Sequence, residues 1–384
     1  MVLLAPASGH FVLVYAVAAV AWLPLVRRNV SLPVTIVVAV ALRIVLLFPE
    51  PRLSGDVYRY LSDGRVVASG ENPYTYTPTD PRINHPEIRS IYPPHAQLLF
   101  GLVHELIPWR VLILCIDLLA IAMLRERAFA YATCPLVLFE GVWSGHVDAI
   151  AGVLLGFALL RRSPIALGIA SGLKIIPLAA LPALRRRGMK LLPFTLALLL
   201  PVVFFAGEPI MPGFRDYATR WIFNSPAYDA VRWIVERIPT KTMWTHHPLR
   251  FELISDFVYR HVYADFLTRA ILATIAIAAI VSARRVSGAI AALLLCSPAI
   301  HPWYWLTLVP AALVERSAWL WVALAAPASY LLYDGSPQGL PPLTVQAICY
   351  GLPAFACAAL RFSSSPSRSS TRVPDSSRAA RSRR

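Results

Sequence analysis

The chain has 384 residues, 57% of them hydrophobic and only 15% charged, with a mean hydropathy of +0.58; this composition excludes an ordinary soluble domain and fits a polytopic membrane protein. The net charge of +15 does not point to nucleic acid, because the surplus sits in short clusters between apolar segments and in the C-terminal tail. That is the positive-inside pattern, which also suits an anionic lipid surface.

In chain order, apolar segments fall at about 11–26, 31–48, 96–124, 128–143, 147–160, 164–184, 189–206, 263–283, 286–298, 303–314, 317–333 and 343–361. Most are long enough, or nearly so, to span a hydrocarbon core of about 30 Å. The first lacks a basic leading region and is followed by Arg27-Arg28, so it reads as a retained helix with its N-terminus outside. Arg27-Arg28, Arg125/Arg127, Arg161-Arg162, Arg185-Arg186-Arg187, Arg284-Arg285 and the Arg-rich tail are assigned to the cytoplasm. Threading the segments between these anchors sends 49–95, 144–146, 207–262, 299–302 and 334–342 to the other side. Residues 164–184 have arginines at both ends and so must dip in and return, turning near Gly172-Leu173-Lys174. Segment 96–124 must cross an odd number of times, its first part broken at Pro108 and lying flat or re-entering. Residues 362–384 read as a disordered cytoplasmic tail, which leaves 1–361 as one transmembrane domain. The five cysteines all lie in apolar segments, odd in number and without metal-type spacing, which argues against a disulfide framework or a zinc site.

The first outer loop, 49–95, is far longer than a reversal of direction needs. Counting Glu50, it holds six of the chain's 21 acidic residues, together with a cluster of tyrosines. Val57, Tyr60, Leu61, Gly64, Val67 and Ala68 recur at helical spacing, with Asp56, Arg59 and Asp63 on a neighbouring face. The pattern predicts a helix that stops at Gly70, before Glu71-Asn72-Pro73, and lies in the interface plane with its carboxylates at the membrane surface. Asp56 stands where a cap or first-turn residue belongs, so capping is the alternative to chemistry. Loop 207–262 carries aromatic residues and both charge signs but no catalytic spacing. His246-His247 stand there without other ligands, which favours a surface pair over a metal site.

Four further spots put polar chemistry at outer ends of apolar segments. Arg43 lies within the second segment, where the alternative is a snorkelling arginine. Ser144-Gly145-His146-Val147-Asp148 opens the fifth; capping by Ser144 and Asp148 would leave His146 unexplained. Lys174 falls at the hairpin turn, where a cation is costly unless paired or wet. His301-Pro302-Trp303-Tyr304-Trp305 begins a short segment, where aromatic residues also serve as interfacial belts. Cations, histidines and a carboxylate gathered at a bilayer surface suit a lipid carrying a phosphate: the cations neutralise the phosphate while the carboxylate takes a proton from an acceptor hydroxyl.

The stretches GDVYRYLSDGRVVASGENPY, IYPPHAQLLF, SGHVDAIAGVLLG, GLKIIPL and HPWYWLTLVP follow one another within residues 40–314. In that order they resemble the C-type glycosyltransferase superfold, and within it bacterial polyprenol-phosphate-mannose-dependent mannosyltransferases. A more distant likeness is to the first mannosyltransferase of GPI-anchor synthesis. The resemblance implies an all-α polytopic bundle with two large extracytoplasmic loops in the inner (plasma) membrane. It also implies inverting transfer of a sugar, mannose foremost, from a polyprenyl-phosphate donor to a glycolipid or glycan hydroxyl on the outer face. The family's essential acid in the first outer loop is matched by Asp56, the expected general base. Tyr58, Arg59 and Asp63 would position it or the acceptor. Arg43, His146, Lys174 and His301 are the expected phosphate contacts, with Asn72, Tyr74, Tyr92, Asp148 and Tyr304 completing the substrate site. No cofactor is expected. Asp56 is flanked by Gly55 and Val57, so the adjacent pair of acids found in some members is absent, which speaks against their metal-dependent form without closing the question of a divalent cation. The helix ahead of the family's usual first one is a second departure. The rival reading is a secondary transporter or lipid-linked-sugar flippase, which broken helices and midplane charges also fit; the lack of internal repeats and the size of both loops weigh against it.

Overall fold

The computed structural model describes residues 5–205, 207, 209–238, 263–332 and 341–354. His246-His247, part of the second outer loop and the basic tail lie outside the described residues. Among those described, all regular structure is helical, with one isolated parallel bridge between Phe223 and Ala299. The first half comprises α1 (Ala5–Trp22), α2 (Leu32–Leu47), α3 (Asp56–Ala68), α4 (Pro94–Leu102), α5 (Leu106–Leu124), α6 (Ala128–Ala132), a π-helical segment Val137–Trp143 and α7 (Asp148–Arg161). The second comprises α8 (Pro164–Leu173), α9 (Leu181–Arg185), α10 (Leu191–Leu199), α11 (Phe214–Arg220), α12 (Pro226–Val235), α13 (Ala264–Ser282), α14 (Val286–Leu295), α15 (Val309–Glu315), α16 (Trp319–Ala325) and α17 (Pro342–Gln346).

Large apolar side chains face outward on several of these helices: Val45 is 71% exposed, Leu192 69% and Ile277 62%. Such a surface is costly in water and suited to lipid. Leu106–Ala132 and Ala264–Ser282 are each long and apolar enough to cross a membrane, and Val137–Trp143 with α7 would make a third span bent by 118°. The other apolar helices are shorter, some ending in a tighter 3-10 stretch such as Leu200–Phe205 and Ala326–Leu332. The break expected at Pro108 falls instead at Val103–Glu105. Pro108 sits in the first turn of α5, where its missing N–H leaves no hydrogen bond unmade.

One helical group sets the two ends of the bundle. α7 runs parallel to the chain from Pro302 to Glu315. His146 stacks on Trp303, an added Cβ at Gly152 would strike Leu306 and Thr307, and one at Gly156 would strike Pro310. α8 returns alongside α7 and breaks at Lys174, which has extended backbone. The chain then runs back through Ile176–Ala180 and α9, so that Arg187 reaches Glu315 at 2.9 Å. Asp148 and Lys174 therefore share one end, and Arg161, Arg187 and Glu315 the other.

Helix α3 begins at Asp56, within the predicted span, but its setting differs from the expected interfacial helix. Val57, Tyr60, Leu61 and Gly64 are buried, and so are Arg59 (8% exposed) and Asp63 (0%) on the other face. The reason is that the rest of the loop folds back over it. Arg59 donates to the carbonyls of His85 (3.0 Å) and Ile88 (2.7 Å), tying that loop down. On its other side α3 packs so closely on α4 that a Cβ at Gly64 would fall 2.3 Å from the Phe100 carbonyl oxygen.

Candidate active site

Asp56 and Tyr92 of the first loop meet Lys174 and Tyr304 from the segment ends at the Asp148–Lys174 end of the bundle. Asp56 is the first residue of α3, one place inside the cap position held by Gly55, and its own N–H is accepted by the Ser54 hydroxyl at 3.2 Å. Its carboxylate accepts a hydrogen bond from the Tyr92 hydroxyl at 3.3 Å. Tyr92 is buried and braced from behind, since the Tyr74 hydroxyl donates to its carbonyl at 2.9 Å. Asn72 in turn holds Tyr74, its side-chain oxygen accepting the Tyr74 N–H at 2.9 Å. Burial pushes the Asp56 carboxyl above the ordinary aspartate range, and Lys174, the Tyr92 hydroxyl, Arg59 and His85 pull it back. A carboxylate so balanced is a stronger proton acceptor than a solvated aspartate.

Lys174 connects this group to the next. Its ammonium lies 3.1 Å from the fully buried carboxylate of Asp148, 5.3 Å from the Tyr92 ring centroid and 4.9 Å from that of Tyr304. Asp148 reaches this place because the chain breaks sharply before α7. Gly145 takes a left-handed backbone (φ +75°), which glycine adopts without strain. Its carbonyl is held by the Trp109 indole at 2.7 Å. Neither Ser144 nor Asp148 caps α7, so the stretch Ser144–Asp148 acts as a corner and not as a helix cap. His146 and His301 lie on opposite faces of Trp303, at 4.3 and 4.5 Å between ring centroids, and Phe223 stacks beyond His301 at 4.7 Å. His146 also lies 3.4 Å from Glu140, which accepts a hydrogen bond from Tyr330 at 3.0 Å.

A cavity of about 260 Å³ opens beside Lys174, Tyr92 and Tyr304. Its polar wall is completed by Tyr217, Trp221 and Arg269, while the remainder of the lining is mostly Ile, Leu, Pro and Ala. The Tyr217 and Tyr304 hydroxyls are 2.6 Å apart. Tyr217 and Trp221 come from the second outer loop, and their spacing of four, one turn of α11 and the residue after it, was the only trace of them in the sequence. Glu140 and Tyr330 left no such trace, being 190 positions apart. A hollow with an ammonium, a guanidinium and phenols beside an otherwise apolar lining can hold a phosphate on an apolar chain.

Several residues expected here are engaged elsewhere. Arg43 is wholly buried, with Nε 2.8 Å from Asp117, another nitrogen 2.9 Å from the Ala132 carbonyl, and the Tyr131 hydroxyl on the second Asp117 oxygen at 2.6 Å. It fastens α2 to α5 and α6 and is not brought to the cluster. Removing one partner of a buried pair typically costs about 3–5 kcal/mol. Arg43→Met should therefore lower the thermal midpoint and leave donor affinity of the folded fraction unchanged; weakened donor binding at normal stability would return Arg43 to the site. Tyr58 packs under Arg82, whose guanidinium carbon is 4.1 Å from the ring centroid. Arg59 serves the loop as described above.

Asp63 likewise faces the inside of the loop. Gln97 donates to it at 3.1 Å and to Ser90 at 2.6 Å. Burial raises its carboxyl from 3.8 to about 6, against the pull of Arg59, Ser90 and Gln97. The folded state thus keeps a proton that the unfolded chain releases, so this group favours folding below about pH 4, and the contribution is lost as the pH rises through about 6. The difference is about 2–3 kcal/mol. Asp63→Asn should flatten the stability profile across that window, read by thermal unfolding at stepped pH, and reduce transfer only mildly. A slope as steep as wild type would show that other groups set it.

Comparison with curated proteins and with solved structures gave no match. Residues 3–91, which include Asp56, Arg59, Asp63, Asn72 and Tyr74, match the family model described as alpha-(1->6)-mannopyranosyltransferase, N-terminal domain, so this part of the chain resembles a mannosyltransferase and supports mannosyl transfer as the activity.

Proposed function

We propose that the protein is a membrane mannosyltransferase that uses a polyprenyl-phosphate-linked mannose as donor and works on the extracytoplasmic face. The observation that carries this reading is that Tyr92, which donates to the Asp56 carboxylate, lines a largely apolar cavity together with Lys174. The acceptor hydroxyl attacks the anomeric carbon from the face opposite the phosphate. A bond forms between that carbon and the acceptor oxygen as the bond from the carbon to the phosphate oxygen breaks. The hydroxyl proton passes to Asp56, and polyprenyl monophosphate leaves with the bonding pair. Lys174 offsets the charge that develops on the departing phosphate. Tyr92 holds the Asp56 carboxylate in register, and Tyr304 with Tyr217 supplies hydroxyls for the sugar or phosphate. The apolar lining receives the first isoprene units. A single displacement of this kind inverts the anomeric centre.

The test uses the purified full chain in liposomes supplied with radiolabelled polyprenyl-phosphate mannose and a crude glycolipid acceptor fraction. Label in a new covalent linkage is the expected result. Label moved across the bilayer with the donor intact would overturn the proposal in favour of a flippase.

A further inference from the structure

At the end of the bundle away from Asp56, four arginines from four separate segments line one cavity of about 600 Å³. Arg27 follows α1, Arg127 follows α5, Arg285 precedes α14 and Arg316 follows α15. No acidic residue lines the hollow, and among the described residues none of the four is ion-paired. Glu315, the acid next to Arg316, is already committed. It accepts the N–H groups of Val286 and Ser287 and the Ser287 hydroxyl, and it pairs with Arg187. Like charges gathered around one hollow repel unless an anion joins them. The planar fork of arginine matches phosphate oxygens two at a time. The other wall of the cavity includes Val26, Leu320 and Trp321, an apolar surface beside the cationic one.

We propose that this cavity binds a phosphate-bearing anion, with the head group of an anionic phospholipid as the ligand that also uses the apolar wall. The site is separate from the one assigned to transfer, and its test does not depend on that assignment.

The experiment measures retention of added phosphatidic acid by the full chain, purified in neutral detergent, using native mass spectrometry. Inorganic pyrophosphate serves as a competitor. Three variants are compared: Arg285→Gln with Arg316→Gln, Arg27→Gln alone, and a control changing Arg161→Gln with Arg162→Gln outside the cavity. Wild type and control should retain the lipid, whereas each lost charge-assisted contact should weaken binding roughly tenfold. Displacement by pyrophosphate would identify phosphate as the recognised group. Lipid retention that pyrophosphate cannot displace would assign the site to the lipid, and pyrophosphate binding without lipid retention would assign it to a free phosphate. Equal lipid and pyrophosphate binding by wild type and both cavity variants, or binding of neither ligand by wild type, would overturn the proposal. The single variant keeps the test open if the double variant fails to fold.

Discussion

Asp56→Asn is expected to lose transfer by about 10²–10⁴-fold while donor binding and folding persist. A sugar hydroxyl is a poor nucleophile at neutral pH, and its proton must leave as the new bond forms. Asparagine preserves the size of the side chain and still meets the Tyr92 hydroxyl, but it cannot take that proton. Capping is not the explanation for this residue, since Asp56 lies inside α3 and caps nothing. The structural losses are a negative charge in the first turn of a helix, worth about 0.3–1 kcal/mol, and its attraction to Lys174, Arg59 and His85, which is offset by relief of the burial of that charge. Tyr92→Phe should be milder, because the carboxylate remains and only its orientation is loosened. The measurement is single-turnover transfer by purified variants, with donor binding read separately. Near-normal turnover by Asp56→Asn would take the base out of the proposed mechanism and favour transport over transfer.

What the sequence discloses here are the places where an apolar run is interrupted at a cost. A lysine at Lys174 and the Ser144–Asp148 stretch are both expensive in an apolar segment unless they turn the chain or meet a partner. In the fold they do both: each marks a break, and Lys174 pairs with Asp148. The start of α3 was visible for a similar reason, a clear helical period following a polar residue. Partnerships across long separations were not visible. Arg43 meets Asp117 at a separation of 74 positions, and nothing local distinguishes that arrangement from a phosphate contact. The burial of Arg59 and Asp63 was hidden likewise, because periodicity gives the faces of a helix but not what folds over them. Trp303 looked like an interfacial aromatic, and its place between His146 and His301 emerges only when α7 and the 302–315 segment lie side by side.

Lys174→Gln is expected to damage both stability and donor use, and a second substitution separates the two effects. Asp148 is fully buried, so removing its partner leaves an unpaired carboxylate at a cost of about 3–5 kcal/mol. The Lys174 side chain is 13% exposed and lines the cavity, so its ammonium is within reach of a ligand there. Losing that contact should raise the donor KM roughly tenfold or more. Lys174→Gln combined with Asp148→Asn removes both charges and should recover much of the thermal midpoint. If Lys174 binds the phosphate, donor affinity stays low in the double variant although the protein is again stable. Recovery of donor affinity together with stability would show that the lysine only neutralises Asp148, and the phosphate would then have to be held by the histidines and tyrosines around it.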